Sequence, residues 1–340
     1  MVCALEEDGA MGREIEGSGS EVFSLGLNIK HDRPRIIWEL ARLMRRHRID
    51  ILHAAAYHPS LFGRLAAILA GVPIRVHHEH LLVSRRRIHR ALINKMLGYF
   101  TQSHITVSEA LRHQVIDWYG LNPNKVEVIY NAVRADFFPS ASHRAVSRNN
   151  LGLSQNTKVI GMVSRLNVVK GYNYLFAAVG QLRDTFPIRV LIVGFGPHEA
   201  EIRRQSEDYG VGSLVEFLGM RRDIPELLSA MDIFVLPSNL EGFSVSLIEA
   251  MAAGLPVVVS DIPGNLEAVE PNVSGLVFPS GNVEALKENL VLLLENPMLA
   301  RKLGDTARDR ASSHFTVEQY GSRIRNLYDR LVRERIDLTW

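Results

Sequence analysis

Short runs rich in valine and isoleucine alternate along the chain with stretches whose apolar residues recur every three or four positions. In the first half the runs are "VFSL" (22–25), "IDILHA" (49–54), "PIRVHHE" (73–79), "HITV" (104–107) and "KVEVIY" (125–130). The second half continues the rhythm through "KVIGMVS", "IRVLIVG", "LVEFLG", "IFVLPS", "PVVVS" and "GLVFP". Apolar strands alternating with helical periods predict an α/β fold whose parallel sheets are covered by helices on both faces. One predicted helix is "PRIIWELARLMRRH" (34–47), with Ile36, Leu40, Leu43 and Met44 on one face.

The rhythm breaks over "RADFFPSASHRAVSRNNLGLSQNT" (134–157), which is rich in Ser, Asn and Arg and holds no strand pattern. It reads as a linker. At the far end, "TVEQYGSRIRNLYDRLVRERI" (316–336) opens with a capping-box pair, Thr316 and Gln319. Val317, Tyr320, Ile324, Leu327 and Leu331 then form an apolar stripe that needs a docking partner. The predicted organisation is a first domain over 1–133, a linker over 134–157 and a second domain over 158–315. A C-terminal helix over 316–340 is expected to pack back on the first domain.

Length supports two cores, because 340 residues exceed what one ordinary domain buries. Hydrophobic content of 46% with 22% charged residues is the profile of a soluble globular enzyme. No apolar run is long enough to cross a bilayer. The opening "MVCALEEDGAMGREIEG" is acidic and lacks the apolar stretch of a secretory signal. Cys3 is the single cysteine, so an intramolecular disulfide and a cysteine metal cluster are both excluded. A reducing, cytoplasmic setting is the expectation.

Charge is unevenly spread. Residues 1–150 carry 20 Lys and Arg against 14 Asp and Glu, a balance of +6; the remainder carries 19 against 23, a balance of −4. The excess includes "RLMRRHR" (42–48) and "SRRRIHR" (84–90). Solvated helix faces account for such runs; attraction to anionic lipid or to an acidic acceptor is the weaker reading. Neither half interleaves aromatic residues with its basic ones as a nucleic-acid binder does.

Three stretches carry candidate chemistry. In "VLIVGFGPHEAEI" (190–202), Gly194 and Gly196 fit G-x-G, but Glu199 stands where a dinucleotide fingerprint needs its third glycine. The pattern marks a tight strand-to-helix turn beside a cleft rather than a nicotinamide site. In "GMVSRLNVVKGYNYL" (161–175), Arg165 and Lys170 follow a strand end and precede a helix start, a setting for a diphosphate. An ordinary surface pair would look the same. In "SNLEGFSVSLIEAM" (238–251), Glu241 lies on a loop and Glu249 about two turns into the following helix. The amides near Gly242, Phe243 and Ser244 sit at that helix's N-terminus and can hold an anionic oxygen. A carboxylate accepts two hydrogen bonds in a plane, which suits a vicinal diol. The plain structural reading is that Glu249 pairs with a nearby arginine.

Taken together and in order, "SRLNVVKG", "GFGP", "PSNLEGFSVSLIEAMAAGLPVVVSDIPGNLEAV" and "SGLVFPSGN" resemble the retaining GT-B glycosyltransferases of family 4, also called group 1. "IDILHA", "AGVPIRVHHEH", "ITVSEAL" and "VEVIYNAV" extend the resemblance through the first half. It implies two Rossmann-like parallel-sheet domains facing across a cleft. It implies that Arg165 and Lys170 grip the donor diphosphate, that Glu241 lies beside the donor sugar, and that Glu249 binds the ribose. Gly242, Phe243 and Ser244 match the loop approaching phosphate and sugar, and Gly194 the turn beside it. His80 matches a histidine near the reacting sugar, and "RRDI" (221–224) with Asp223 matches the segment that reads the base. His77 and His78 are expected to be structural, and His53 to be a satisfied core residue.

The implied activity is transfer of a hexosyl unit, with retention, from a nucleotide-diphospho-sugar to a hydroxyl of a glycan or lipid-linked sugar, as in polysaccharide biosynthesis. No bound metal is expected, in keeping with the lack of an Asp-x-Asp motif. The implied setting is the cytoplasm, with peripheral contact to an anionic membrane and no nucleic-acid partner. Three departures stand out. The family opens with a strand and glycine-rich loop ahead of the strand matched by "MVCAL", so the first domain is expected to be incomplete at its start. Ala132 and Pro263 replace usual glycines. A non-catalytic donor-binding relative and a sugar-nucleotide epimerase are the competing functions.

Overall fold

The computed structural model describes residues 1–6, 9–80, 88–138 and 143–337. The chain forms two compact units, Met1–Ile129 with Ile324–Trp340, and Tyr130–Arg323.

The first unit alternates strand and helix. Its elements are β1 (Val2–Ala4), α1 (Gly9–Gly17), β2 (Val22–Ser24), α2 (Arg33–Arg46), β3 (Ile51–Ala55) and α3 (Tyr57–Ala70). They continue through β4 (Ile74–Glu79), α4 (Ile88–Tyr99), β5 (Ser103–Thr106), α5 (Glu109–Tyr119) and β6 (Val126–Val128). Strands β3-β4-β5-β6 form one parallel sheet in chain order, and β1 and β2 form a separate parallel pair. Ile36, Leu40, Ala41 and Met44 of α2 bury against Phe62, Ala66 and Ala67 of α3, with Leu5, Leu27 and Val72. Of the predicted α2 face, Leu43 is only half-buried. Ala41 is buried in its place.

The second unit begins with α6 (His143–Asn150), β7 (Lys158–Val163), α7 (Tyr172–Leu182), β8 (Ile188–Val193), α8 (Glu199–Asp208), β9 (Val215–Gly219) and α9 (Ile224–Ala230). It continues with β10 (Ile233–Leu236), α10 (Val245–Ala252), β11 (Val257–Ser260), α11 (Pro263–Ala268), β12 (Leu276–Phe278), α12 (Val283–Glu295) and α13 (Pro297–His314). The six strands are all parallel, in the order β12-β11-β10-β7-β8-β9. Val159, Ile160, Val190, Leu191, Phe234 and Val258 are fully buried, as a sheet covered on both faces requires. The strand order reverses between β7 and β10. At such a switch point the connections leave in opposite directions and open a crevice at the strands' C-terminal ends.

Residues 134–157, expected to be a linker, belong to the second unit and carry α6. Arg148 is wholly buried; it donates to the Ala230 carbonyl at 3.1 Å and the Ser154 carbonyl at 2.7 Å. It also pairs with Asp232 at 3.2 Å, and Arg144 reaches the same carboxylate at 2.6 Å. Two arginines of the stretch that reads as a linker, Arg144 and Arg148, clamp α6 to the end of α9. Residues 139–142 of that stretch, and 84–87 of the basic run 84–90, lie outside the described residues.

Helix α14 (Val317–Asp337) starts with the predicted capping box: Gln319 N donates to Thr316 Oγ1 at 3.4 Å, and Thr316 N to Gln319 Oε1 at 3.3 Å. Leu327 and Leu331 are buried, whereas Val317 is exposed. From Ile324 onward the helix belongs to the first unit. There Tyr328 Oη lies 2.5 Å from His53 Nδ1, and Arg330 pairs with Glu127. No helix among the described residues is long and apolar enough to cross a membrane.

Candidate active site

Four connections of the second unit leave the C-terminal ends of neighbouring strands. After β7 the chain passes Ser164 and Arg165, makes a short 3-10 turn over Val168–Lys170, and enters α7 through Gly171. Gly171 has φ 74°, and a Cβ there would lie 2.0 Å from the Pro237 carbonyl oxygen at the end of β10. Only glycine lets the two strand ends approach so closely. Gly194, at φ 132°, would place a Cβ 2.0 Å from the Ser164 carbonyl oxygen, and Gly196 one 2.2 Å from that of Leu166. The G-x-G pattern thus packs the β8 turn against the β7 turn.

That packing brings Lys170 to Glu241. Lys170 Nζ donates to Glu241 Oε1 at 2.7 Å, and Ser238 Oγ donates to the same oxygen at 2.7 Å. Glu241 is 9% exposed, so its charge is held by these two donors rather than by bulk water. Behind them, Ser260 Oγ donates to the Ser238 carbonyl at 2.5 Å, and the fully buried Asn265 donates to the Ser260 carbonyl at 3.1 Å. Pro263 stands in the first turn of α11, where its missing N–H costs nothing. The next residue, Gly264, would carry a Cβ 2.6 Å from the Glu241 carbonyl oxygen.

Ser244 caps α10, its hydroxyl accepting from Leu247 N at 3.4 Å. Phe243 is buried and stacks with Tyr130 and Phe315 at ring distances of 4.9 and 5.2 Å. Asn131 Nδ2 donates to the Phe243 carbonyl at 2.9 Å and fixes the loop. Sequence reasoning missed Asn131, Ser238, Ser260 and Asn265. Asn131 and Phe243 are 112 positions apart, whereas Ser238 and Glu241 are three apart and Ser260 and Asn265 five apart without forming a recognised motif. Ala132 is not among the non-glycine residues with positive φ, which explains why alanine is tolerated there.

Glu249 is half-buried on α10. Burial pushes its carboxyl up to about 7; Arg134 nearby opposes that shift and Asp136 adds to it. Arg134 is itself bound to Asp136 at 2.7 Å. No donor reaches the Glu249 side chain within hydrogen-bonding distance among the described residues. Arg165 is exposed on the loop after β7, apart from the Lys170–Glu241 pair. Asp223 is held by Arg221, with contacts of 2.8 and 2.5 Å, on the connection that follows β9.

His80 belongs to the first unit, just past β4. Its ring stacks on His78 at 4.1 Å, and burial lowers its pKa. His77 and His78 are buried: His77 Nδ1 meets Ser60 Oγ at 2.5 Å, and His78 Nδ1 lies 3.2 Å from His53 Nε2. His53 is half-buried between His78 and Tyr328.

Lys170 and Glu241 thus meet at the switch point of a doubly wound sheet, the position where open α/β sheets bind ligands. The fold is shared with solved structures. That of Anabaena HepE in complex with UDP-glucose superposes with a TM-score of 0.87, at 25% identity, over 96% of this chain and 91% of the other. The family model "Glycosyl transferases group 1" matches residues 143–310, and "Glycosyltransferase Family 4" matches 1–137. A relative at 30% identity is the UDP-Gal:alpha-D-GlcNAc-diphosphoundecaprenol alpha-1,3-galactosyltransferase of Escherichia coli, aligned over 85% of this chain and 77% of the relative. The N,N'-diacetylbacillosaminyl-diphospho-undecaprenol alpha-1,3-N-acetylgalactosaminyltransferase of Campylobacter jejuni is also 30% identical, over 86% of this chain and 80% of its own. The chain belongs to the group 1, family 4 glycosyltransferases and has their GT-B fold of two Rossmann-like units. It is an enzyme of that class.

Proposed function

We propose that this glycosyltransferase moves a hexosyl unit, with retention of anomeric configuration, from a nucleotide-diphospho-sugar to a hydroxyl of a lipid-linked sugar or glycan. The observation that carries the reading is the Lys170–Glu241 pair, braced by Ser238 at the switch point. Neighbouring parallel strands stand about 4.8 Å apart. Loops from β9, β8, β7 and β10 therefore offer adjacent stations along one line. We assign the base to the Asp223 segment, the diphosphate to Gly194, Arg165, Lys170 and the amides of Gly242, Phe243 and Ser244, and the sugar to Glu241. Glu249 takes the ribose hydroxyls.

In the reaction, the bond from the anomeric carbon to the diphosphate oxygen breaks and its electron pair stays on that oxygen. The acceptor oxygen bonds the anomeric carbon on the same face, and its proton passes to the departing phosphate. Lys170 and Arg165 stabilise the charge that grows on the leaving group, so the route needs no metal. His80 is assigned to turnover rather than to donor binding. The lipid-diphosphate acceptors in the names of both relatives support a lipid-linked acceptor, reached at the cytosolic face of a membrane with peripheral contact to anionic lipid.

The test has two parts. A panel of UDP-, GDP- and ADP-sugars is screened for thermal stabilisation, and the stabilising donor is then given with a sugar-diphospholipid acceptor while NMR reads the anomeric product. Transfer with retention, slowed about 10²–10³-fold in Lys170→Ala, is expected. Donor binding without turnover would replace the proposal with a binding role, and conversion of donor to an epimer would replace it with isomerisation. A trapped sugar adduct on Glu241 would overturn the same-face route.

A further inference from the structure

On the first unit, α4 exposes Leu92 at 60%, Met96 at 60% and Tyr99 at 75%, with Phe100 at 53% just beyond. Positions 92, 96 and 99 are spaced i, i+4, i+7 and share one side of the helix. Single exposed apolar residues need no explanation, but a continuous aromatic and aliphatic stripe does. The opposite side of α4 is firmly seated. Leu97 is buried, Asn94 accepts from the buried Arg64, and a Cβ on Gly98 would strike Leu121 at 2.7 Å. The stripe is therefore a finished outer face of a well-packed helix.

Its surroundings are basic. Lys95 lies on the same helix, and Arg75 donates to the Phe100 carbonyl. The charge of Arg335 reaches Arg75. Beside the stripe is a cavity of about 360 Å³, lined by Lys95, Tyr99, His104, Asn122 and Lys125 among others. His104 is 2% exposed, and neither ring nitrogen has a hydrogen-bond partner among the described residues. Such a group is costly unless a ligand satisfies it. Burial first, and then His77, Arg64 and Lys125, hold the pKa of this ring well below 6.5, so it is a neutral imidazole with one N–H to donate.

We propose that this face of α4 docks on a bilayer of anionic phospholipid: Leu92, Met96, Tyr99 and Phe100 enter the headgroup boundary, and the cavity floored by His104 takes a lipid phosphate between Lys95 and Lys125. The surface rests on the lipid-linked acceptor reading above, but vesicle binding is measured without any transfer, so the two can fail separately. An acidic protein partner would match the lysines but not the apolar stripe. A second copy of this chain would set like charges against one another.

The experiment is co-sedimentation of the full chain with phosphatidylglycerol vesicles and with phosphatidylcholine vesicles. Binding to the first and not the second is expected. Each lysine near a bilayer contributes about fivefold, so the pair Lys95→Ala, Lys125→Ala should weaken binding about 30-fold. The set Leu92→Ser, Met96→Ser, Tyr99→Ser should abolish it, and Lys95→Arg should retain it. Unchanged thermal midpoints and unchanged donor affinity show that these surface variants fold. Equal binding by all variants would overturn the proposal. So would a dimer that buries this face, or saturation of the cavity by millimolar inorganic phosphate with no vesicle binding.

Discussion

Lys170 and Glu241 depend on each other. Removing the ammonium leaves a nearly buried carboxylate with the Ser238 hydroxyl as its remaining side-chain donor among the described residues, which costs more than losing the pair together. Lys170→Ala should lower stability by about 2 kcal/mol, and Lys170→Ala with Glu241→Gln should recover most of it; chemical denaturation of the four proteins of the cycle reads the coupling. Turnover should fall by about 10²–10³ in Lys170→Ala, the scale of a lost leaving-group contact. Glu249 behaves differently because burial holds its carboxyl up to about 7. Ribose hydroxyls donate to the ionised form, so donor affinity should rise as pH passes upward through 7, with proton release visible by calorimetry in buffers of different ionisation enthalpy. Glu249→Ala should cost about 1.5–3 kcal/mol of binding, and Glu249→Gln should remove the pH dependence. The sequence marks Lys170, Glu241 and Glu249 as candidates, but spacing alone fits an ordinary surface pair equally well, and their roles come only from the family resemblance. Asn131 is not marked, because its partner Phe243 lies 112 positions away, and Ser238 and Asn265 are not, because a serine or asparagine a few residues from its partner matches no motif.

At the scale of elements, the tight turn into α7 sets the geometry. Gly171→Ala combines a left-handed backbone with a clash on the Pro237 carbonyl. It should push the β7 turn off β10 and carry Lys170 away from Glu241. Loss of at least 2 kcal/mol in denaturation, with a parallel loss of donor binding, is expected; full binding would show that the turn does not position Lys170. Every strand of both sheets was visible as an apolar run, and the α14 capping box as a four-residue pattern, since each is a local signal. Helix α6 was hidden. Its polar composition is spent inside, on Asp232 and on carbonyl groups at the end of α9, and composition alone cannot tell an arginine in water from one that is satisfied and buried.

Over the whole molecule, the two units should respond to acid in opposite directions. The first unit holds a histidine group kept neutral by burial: His53 titrates near 4, His78 near 2, and His77 and His104 are lowered well below 6.5. These residues bind protons more readily when unfolded, so their contribution is intact above pH 6.5 and is lost as pH falls through the folded values. Glu249 in the second unit has the reverse sign, since its raised value makes the native form gain stability as pH falls from 7 toward 4.5. Hydrogen exchange between pH 7 and 4 should show protection falling first in β3, β4 and β5, while β7 and β10 stay protected; simultaneous loss in both units would contradict the assignment. The count of two cores was legible from length and strand rhythm. The boundaries were not, because the chain returns to its first unit only in the middle of one helix.

The reversal of strand order between β7 and β10 has a consequence for how this enzyme can diversify. In the donor assignment proposed above, nucleobase readout and sugar readout hang from opposite halves of one parallel sheet. The short stretch 237–244 can therefore be grafted from a relative with a different carbohydrate preference, leaving the stations after β8 and β9 untouched, so that selectivity is exchanged as a cassette.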